Sequence, residues 1–187
     1  MTRILLLYGT AEGHTEDVVK VLCGSVGDGL AERGRADSSV DCRAIENAPN
    51  GIEPYDGVIV GSSIHMGQHH KDVVGWATDH HAALASAPSA FFQVSLSSAQ
   101  GSDPERQNEA TAYVDGFVQK TGWHPDLVGL FGGALLYTRY GFAKRKMLKA
   151  IAKKGGLGTD THRDYDYTDY EAVRHFGEDV VDLVVHG

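Results

Sequence analysis

A short stretch near the N-terminus constrains the fold more than any other part of the chain. Residues 4–8 form an apolar run, residues 9–15 form a loop rich in small and hydroxyl-bearing residues, and a helical pattern starts at Glu16. This order predicts a β-strand, a tight loop and a helix N-terminus. Free backbone amides and the positive end of the helix dipole meet at such a loop, and the stretch therefore favours a phosphate site.

The residues of the loop limit which kind of phosphate ligand it can bind. It lacks the spaced glycines of a dinucleotide-binding motif and the Gly-Lys-Ser/Thr of a nucleoside triphosphate loop. With no lysine, hydroxyls and amides would hold the anion, which suits a buried monophosphate. The alternative is an ordinary strand-to-helix turn in which Thr15 caps the helix. The candidate residues of this loop are Thr10, Ala11, Glu12, Gly13, His14 and Thr15.

Strands and helices alternate along the rest of the chain. Strands are predicted over residues 2–8, 39–45, 56–63, 88–95 and 126–136, and helices over residues 16–33, 70–84, 104–121 and 168–185. The alternation predicts a single doubly wound α/β domain, with a five-stranded parallel sheet and helices on both faces. Ligands bind at the carboxyl ends of such strands, where the loops 10–15, 62–68 and 95–103 are expected to meet.

Residues 137–167 do not fit the alternation and are interpreted as an insertion near the fifth strand. A helix over residues 142–154 would carry a narrow apolar face of Met147, Leu148 and Ile151 beside a dense group of cations, Lys144, Arg145, Lys146, Lys149, Lys153 and Lys154. A basic amphipathic helix is typical of contact with an anionic membrane. The alternative is a solvated helix that packs on the domain through its apolar face.

Charge and residue usage exclude several functions. The net charge of −8 argues against nucleic acid as a partner. Cys23 and Cys42 have no metal-binding or redox spacing, and we interpret them as small buried side chains in a reducing compartment. The adjacent histidines 69/70 and 80/81 point about 100° apart on a helix, so no metal site is predicted. No apolar run is long enough to span a bilayer, which favours a cytoplasmic protein.

Motifs spread from end to end give the chain a family resemblance. They are residues 10–15, 61–70, 88–96, 133–140, 155–161 and 167–171. With these motifs the chain resembles the menaquinone-dependent protoporphyrinogen IX dehydrogenases, a branch of the flavodoxin superfamily. The resemblance implies a flavodoxin-like sheet of order 2-1-3-4-5. It also implies an FMN cofactor, a porphyrinogen substrate and a quinone as electron acceptor, with menaquinone drawing the basic helix to the inner face of the cell membrane.

The same resemblance assigns site residues. Loop 10–15 would hold the FMN phosphate, and the isoalloxazine would be framed by Ser62, Ser63, Ile64, His65, Met66, Gly67, Ser95, Leu96 and Ser97. Substrate propionates are expected to contact Arg139 first, and Tyr140, Lys144 and Arg145 with it. His65 is a weak catalytic candidate, since a loop histidine is more often satisfied by the backbone.

The chain departs from the family pattern at two places, and the sequence leaves two other functions open. Met66 stands where the branch tends to have an aromatic residue, and residues 97–103 lack the basic residues that often precede Pro104. One rival is a flavodoxin-like electron carrier, for which an acidic docking face is expected in place of a basic helix. The other is a quinone reductase fed by a nicotinamide cofactor, although no nicotinamide motif is visible.

Overall fold

The computed structural model describes residues 1–99 and 104–187. The strands of this part of the chain are β1 (Arg3–Gly9), β2 (Ser39–Ala44), β3 (Gly57–His65), β4 (Gln68–His69), β5 (Ser89–Ser95), β6 (Leu127–Gly132), β7 (Ala134–Leu135) and β8 (Tyr165–Asp166). The α-helices are α1 (His14–Glu32), α2 (Lys71–Asp79), α3 (His81–Leu84), α4 (Pro104–Thr121), α5 (Phe142–Lys154) and α6 (Tyr170–His186).

The main sheet has the predicted topology. Its parallel strands lie in the order β2-β1-β3-β5-β6, and β4 adds a short antiparallel hairpin to β3. Counted without this hairpin, the order is the expected 2-1-3-4-5, so the flavodoxin-like fold class is confirmed. Gly9 of β1 lies beside Ser62 of β3, and Ser62 lies beside Gln93 of β5. This register brings the carboxyl ends of the three central strands to one edge.

Two apolar cores cover the sheet, one on each face. Side chains alternate between the faces of a strand, so Leu6 packs in one core while Leu5 and Leu7 pack in the other. The first core includes Leu22, Phe92, Phe176 and Val180, and lies under α1 and α6. The second includes Val73, Phe91, Phe117 and Trp123, and lies under α2 and α4. Helices therefore cover both faces, as predicted.

Some boundaries differ from the sequence prediction. The helix expected over residues 70–84 is divided at His80 into α2 and α3, and α1 starts at His14 rather than at Glu16. The strand expected over residues 126–136 ends at Gly132, where a Cβ would overlap the backbone of Tyr167. After this close approach β7 leaves the main sheet and pairs with β8. Of that small sheet, β8 lies within the inserted residues 137–167, as does α5, whereas β7 directly precedes them.

The prediction of two unpaired, buried cysteines is wrong. Cys23 on α1 and Cys42 on β2 form a disulfide, with their Cα atoms 6.8 Å apart. Cys42 is exposed because β2 is an edge strand, and its register beside Leu6 points it to the face that α1 covers. Sequence spacing does not show this contact, since it forms only when α1 packs on the sheet. The reducing compartment inferred from unpaired cysteines loses its support.

None of the helices in the described residues is long and apolar enough to cross a membrane.

The imidazole of His69 lies partly buried in the hairpin strand β4. Its Nε2 donates to the carbonyl of Tyr113 at 3.0 Å, and its ring meets the rings of Phe91 and Phe117 edge-on. Because burial penalises the charged form, the pKa of His69 falls from its ordinary 6.5 to about 4. The neutral ring is thus part of the packing between α4 and the sheet.

This burial makes stability depend on pH. Between pH 6.5 and about 4 the unfolded chain binds a proton at His69 and the folded chain does not, so stability is lost as the pH falls through this range. The free energy of unfolding that is lost through His69 amounts to about 3 kcal/mol by pH 4. Urea unfolding from pH 7 to pH 4.5 should show a flatter pH profile in His69→Gln. His124→Gln, at an exposed position, is the control, and an unchanged profile in His69→Gln would contradict the assignment.

Candidate functional site

A cleft lies at the carboxyl edge of the sheet, where the predicted loops converge. Its volume is about 410 Å³, within the range of small-molecule sites. Residues predicted for the cofactor site that line it are Thr10, Ala11, Glu12, His14, Thr15, Ser63, Ile64, His65, Met66, Gly67, Ser95, Leu96 and Ser97. The predicted loop 95–103 contributes its first part, while residues 100–103 lie outside the described residues. The sequence therefore locates three walls of this cleft.

The first wall is the loop between β1 and α1. Gly13 has a φ of +89°, a left-handed conformation that side chains disfavour, and precedes α1 with no side chain capping the helix. Its N–H donates to Thr10 Oγ1 at 3.0 Å, and the Ala11 N–H donates to Ser63 Oγ at 3.2 Å. Thr15 lies inside the helix and is buried, so the alternative role as a cap is wrong.

This geometry fits a monophosphate. The first turn of an α-helix has amides without intrahelical partners, and no side chain takes them at α1. The hydroxyls of Thr10 and Ser63 accept the N–H groups of Gly13 and Ala11, and each keeps its own hydrogen to donate. Gly13 shapes the turn without lining the cleft. The loop therefore offers the donors that the phosphate of FMN needs.

The second wall is the β3–β4 hairpin. Ser62 is fully buried beneath it, where its Oγ accepts the N–H of His70 at 2.9 Å. The turn consists of Met66 (φ +50°) and Gly67 (φ +74°), which leaves the Met66 side chain 83% exposed at the mouth of the cleft. That Met66 contacts a flavin ring stays a prediction.

The third wall follows β5 and includes residues of α4 that sequence reasoning missed. Ser95 Oγ accepts the N–H of Ser98 at 3.1 Å and so shapes this loop. Ser97 Oγ donates to Glu109 at 2.5 Å, and the hydroxyl of Tyr113 donates to the other oxygen of Glu109 at 2.8 Å. Burial, together with Glu109, raises the pKa of Tyr113 to about 12. Tyr113, Glu109 and Arg106 all line the cleft.

The insertion forms a fourth wall, and Glu12 joins it to the phosphate loop. The hydroxyl of Tyr140 donates to one carboxylate oxygen of Glu12, and Lys144 Nζ donates to the other at 2.5 Å. His65 Nδ1 lies 3.4 Å from the same carboxylate. The contact of the His65 ring is thus a carboxylate rather than the expected backbone group. One acidic side chain therefore holds the β1 loop, the β3 loop and α5 together.

The predicted substrate residues divide into two groups. Tyr140 and Lys144 line the cleft, together with Met147, Leu148 and Ile151 of α5. Arg145 donates to the backbone carbonyls of Tyr137 and Tyr140 and shapes the turn before the helix. Arg139 lies beside the phosphate loop, where its guanidinium is 4.0 Å from the position of a Cβ on Gly13.

His14 gives the insertion a second attachment to this site. Its Nε2 lies 2.8 Å from Thr168 Oγ1 and 3.4 Å from Asp166, both at the end of the inserted region. Thr168 in turn donates to the carbonyl of Gly132 at the end of β6. The phosphate loop is thus braced from both ends of the insertion.

The paired histidines do not share a helix as expected, because His69 is in β4, His70 precedes α2, and His80 separates α2 from α3. His69 contacts Tyr113, and His80 contacts backbone carbonyls of Trp76 and Asn50. His70 does lie near two exposed carboxylates, with ligand atoms of all three residues within 4.8 Å, namely Glu46, His70 and Asp72. Within the described residues nothing else points to an ion there, and we assign it no metal.

Loss of the Glu12 charge should loosen the insertion. Glu12→Gln keeps the shape of the side chain but weakens its charge-assisted hydrogen bonds by about 1 kcal/mol. We expect hydrogen exchange of the α5 amides to accelerate about fivefold, with the main sheet unchanged. Glu178→Gln, in an exposed pair with His175, is the matched control. Equal protection of α5 in wild type and Glu12→Gln would show that Glu12 does not hold the insertion.

Comparisons with known proteins agree with this site. The chain matches the flavodoxin domain family over residues 5–162. It is 33% identical over 186 residues to a Leishmania major protein named protoporphyrinogen IX dehydrogenase (quinone), covering 97% of this chain and 75% of the relative. It is 32% identical over 182 residues to the Escherichia coli K12 protein of the same name, covering 97% and 96%.

Solved structures show the same fold. Oxidised flavodoxin 1 from Bacillus cereus superposes with a TM-score of 0.53 at 18% identity, over 97% of this chain and 98% of that one. A WrbA-like flavodoxin from Agrobacterium tumefaciens has a TM-score of 0.51 at 12% identity, over 100% and 99%. Membership of the flavodoxin domain family bears out FMN as the cofactor. The chain belongs to the flavodoxin family, in the branch that contains the protoporphyrinogen IX dehydrogenases.

Proposed function

We propose that this protein is an FMN-dependent oxidoreductase that dehydrogenates protoporphyrinogen IX and delivers the electrons to a quinone. The relatives that carry this name match nearly the whole chain. FMN supplies the redox chemistry by accepting hydrogen from one substrate and giving it to the next. Each hydrogen pair lost by the porphyrinogen, as two electrons and two protons, converts one quinone to a quinol.

The cleft is the observation that carries this proposal. Beyond the phosphate loop its lining is apolar, with Leu135, Leu148 and Ile151 among its residues, while Arg106 and Lys144 are cationic members of the same lining. A tetrapyrrole is a large apolar ring with carboxylate side chains, and it needs this combination of surfaces. A simple electron carrier needs no such cleft, because only the flavin edge has to reach its partner.

Cations in the cleft account for recognition of the propionates. Lys144 donates one N–H to Glu12 and has others to offer, since an ammonium carries three. Arg106, two residues after Pro104, lines the cleft close to the loop where basic residues were missing from the sequence motif. Tyr140 stands beside Lys144, whose Nζ is 4.4 Å from its ring centroid. Lys144 and Arg106 are therefore the proposed propionate partners.

His65 is the proposed acceptor of a substrate proton. It lines the cleft, is partly exposed, and has Glu12 at 3.4 Å to orient its ring. A histidine that is held by a carboxylate and faces the reacting ring can act as a general base. The position of His65 supports this role. The nearby Glu109 has both carboxylate oxygens hydrogen-bonded, one to Ser97 and the other to Tyr113.

Anaerobic mixing tests the proposal directly. FMN-loaded protein is mixed with protoporphyrinogen IX while porphyrin fluorescence and flavin absorbance are followed. We expect porphyrin to form as the flavin is bleached, and addition of a quinone to restore the flavin colour and allow turnover. Lys144→Ala should raise the Michaelis constant for the porphyrinogen, because one propionate partner is lost, with little effect on flavin reduction by dithionite.

The rival functions give different results in the same experiment. An electron carrier would leave the porphyrinogen unoxidised, and a nicotinamide-fed quinone reductase would be bleached by NADH or NADPH but not by the porphyrinogen. Either result would overturn the proposed substrate.

We further propose that α5 brings the mouth of the cleft to an anionic membrane surface. Phe142 is 82% exposed, and Met147 and Ile151 are 49% and 43% exposed beside it. Lys146 and Lys149 are exposed on the same helix. Ala152 is buried and Leu148 packs on a small core with Leu135 and Tyr137, so the helix is fixed to the domain. Met147 and Ile151 line the cleft and stay partly exposed there, and Phe142 is exposed outside it. The location that follows is a cytoplasmic protein bound peripherally to the membrane.

Vesicle sedimentation tests this docking. Each basic residue near an anionic surface contributes about 1 kcal/mol, so binding should be reversible and weaken with salt. Wild type should sediment with vesicles that contain anionic lipid at low salt, and the variant Lys146→Glu/Lys149→Glu/Lys153→Glu should not. The variant Lys20→Glu/Lys71→Glu/Lys120→Glu has the same charge change at exposed positions elsewhere and should still bind. Equal binding of both variants, or none by wild type, would refute the proposal.

A further inference from the structure

The phosphate loop has an unusual charge balance for an anion site. Residues 9–15 contain no lysine or arginine, and their one carboxylate, Glu12, adds a negative charge beside the position of the FMN phosphate. Lys144 neutralises Glu12 at 2.5 Å. The phosphate itself would still lack a cation if the site consisted of the β1–α1 loop alone.

Arg139 places a cation beside this loop. It belongs to a turn of the insertion, Tyr137–Arg139, and its Nη1 is 4.0 Å from the position of a Cβ on Gly13, at the N-terminus of α1. Asp164 is in electrostatic range, but its oxygens accept the N–H and hydroxyl of Thr138. The described residues provide no hydrogen bond to the Arg139 side chain. Its guanidinium is thus exposed next to the phosphate loop.

We infer that Arg139 binds the phosphate of FMN, and that the insertion thereby completes the cofactor site. A guanidinium can donate two parallel hydrogen bonds to phosphate oxygens, which a hydroxyl or a single amide cannot. The sequence prediction assigned Arg139 to a substrate propionate. Its position favours the phosphate, because its guanidinium lies next to Gly13 of the phosphate loop, whereas Lys144 and Arg106 line the cleft. The inference rests on FMN as the cofactor and is independent of the substrate.

The position of the turn supports the same role. Arg145 fixes the turn by donating to the carbonyls of Tyr137 and Tyr140 on either side of Arg139. Tyr137 is fully buried and donates to the carbonyl of Gly158. Arg139 is therefore held on a braced segment, so little conformational freedom is lost when its side chain binds an anion.

Flavin titration tests the inference. Full-length apoprotein is titrated with FMN and with riboflavin, which lacks the phosphate, and binding is followed by the quenching of flavin fluorescence. Arg139→Ala should weaken FMN binding about tenfold or more and leave riboflavin binding unchanged. Arg139→Lys should restore part of the affinity, because it keeps the charge without the two-point geometry. Lys120→Ala removes an exposed cation near the end of α4, away from the cleft, and should change the binding of neither ligand.

The outcomes separate the alternatives. Preference for FMN over riboflavin should shrink in Arg139→Ala and decline less steeply with added salt than in wild type. Wild-type FMN affinity in Arg139→Ala would overturn the inference, and so would an equal loss for FMN and riboflavin, which indicates a structural role. The titration contains no porphyrinogen, so a negative result would overturn the role of Arg139 without affecting the proposed reaction, which anaerobic mixing tests.

Discussion

The parallel register of β1, β3 and β5 is the constraint on which the site depends. Because Gly9, Ser62 and Gln93 lie side by side, the loops that follow these strands must leave the sheet at one edge. Each loop then supplies what its own residues allow: backbone donors at α1, an exposed thioether at Met66, and a shaped turn at Ser95. The cofactor site is thus a consequence of topology before any side chain is considered.

Glu12 explains how an insertion becomes part of that site. In a plain flavodoxin-like loop a carboxylate beside the phosphate is unfavourable, yet here its charge is matched by Lys144 and its second oxygen by Tyr140. The same contact places Arg139 beside Gly13. The unfavourable charge of Glu12 is therefore offset by its contacts with Tyr140 and Lys144, which hold the insertion against the cleft. An enzyme with a large apolar substrate needs such a walled cleft, and an electron carrier does not.

The sequence predicts what is local and misses what depends on packing. The main strands follow from apolar runs and their order from the family resemblance, and both are confirmed. Loop 10–15 lies at the carboxyl end of β1, as expected, and its binding of phosphate stays a prediction. The hairpin strand β4 is two residues long, too short for a pattern. Glu109 and Tyr113 look like the solvated face of α4 until the helix is placed beside the cleft. The Cys23–Cys42 disulfide likewise appears only once α1 lies on β2.

A crystal structure of the FMN complex would test the central claim most directly, namely that the insertion is a wall of the cofactor site. The account predicts the phosphate at the N-terminus of α1 with the Arg139 guanidinium within hydrogen-bond distance, and Glu12 still bound to Tyr140 and Lys144. A complex in which the phosphate is held by loop 10–15 alone, with the insertion turned away from it, would contradict the account.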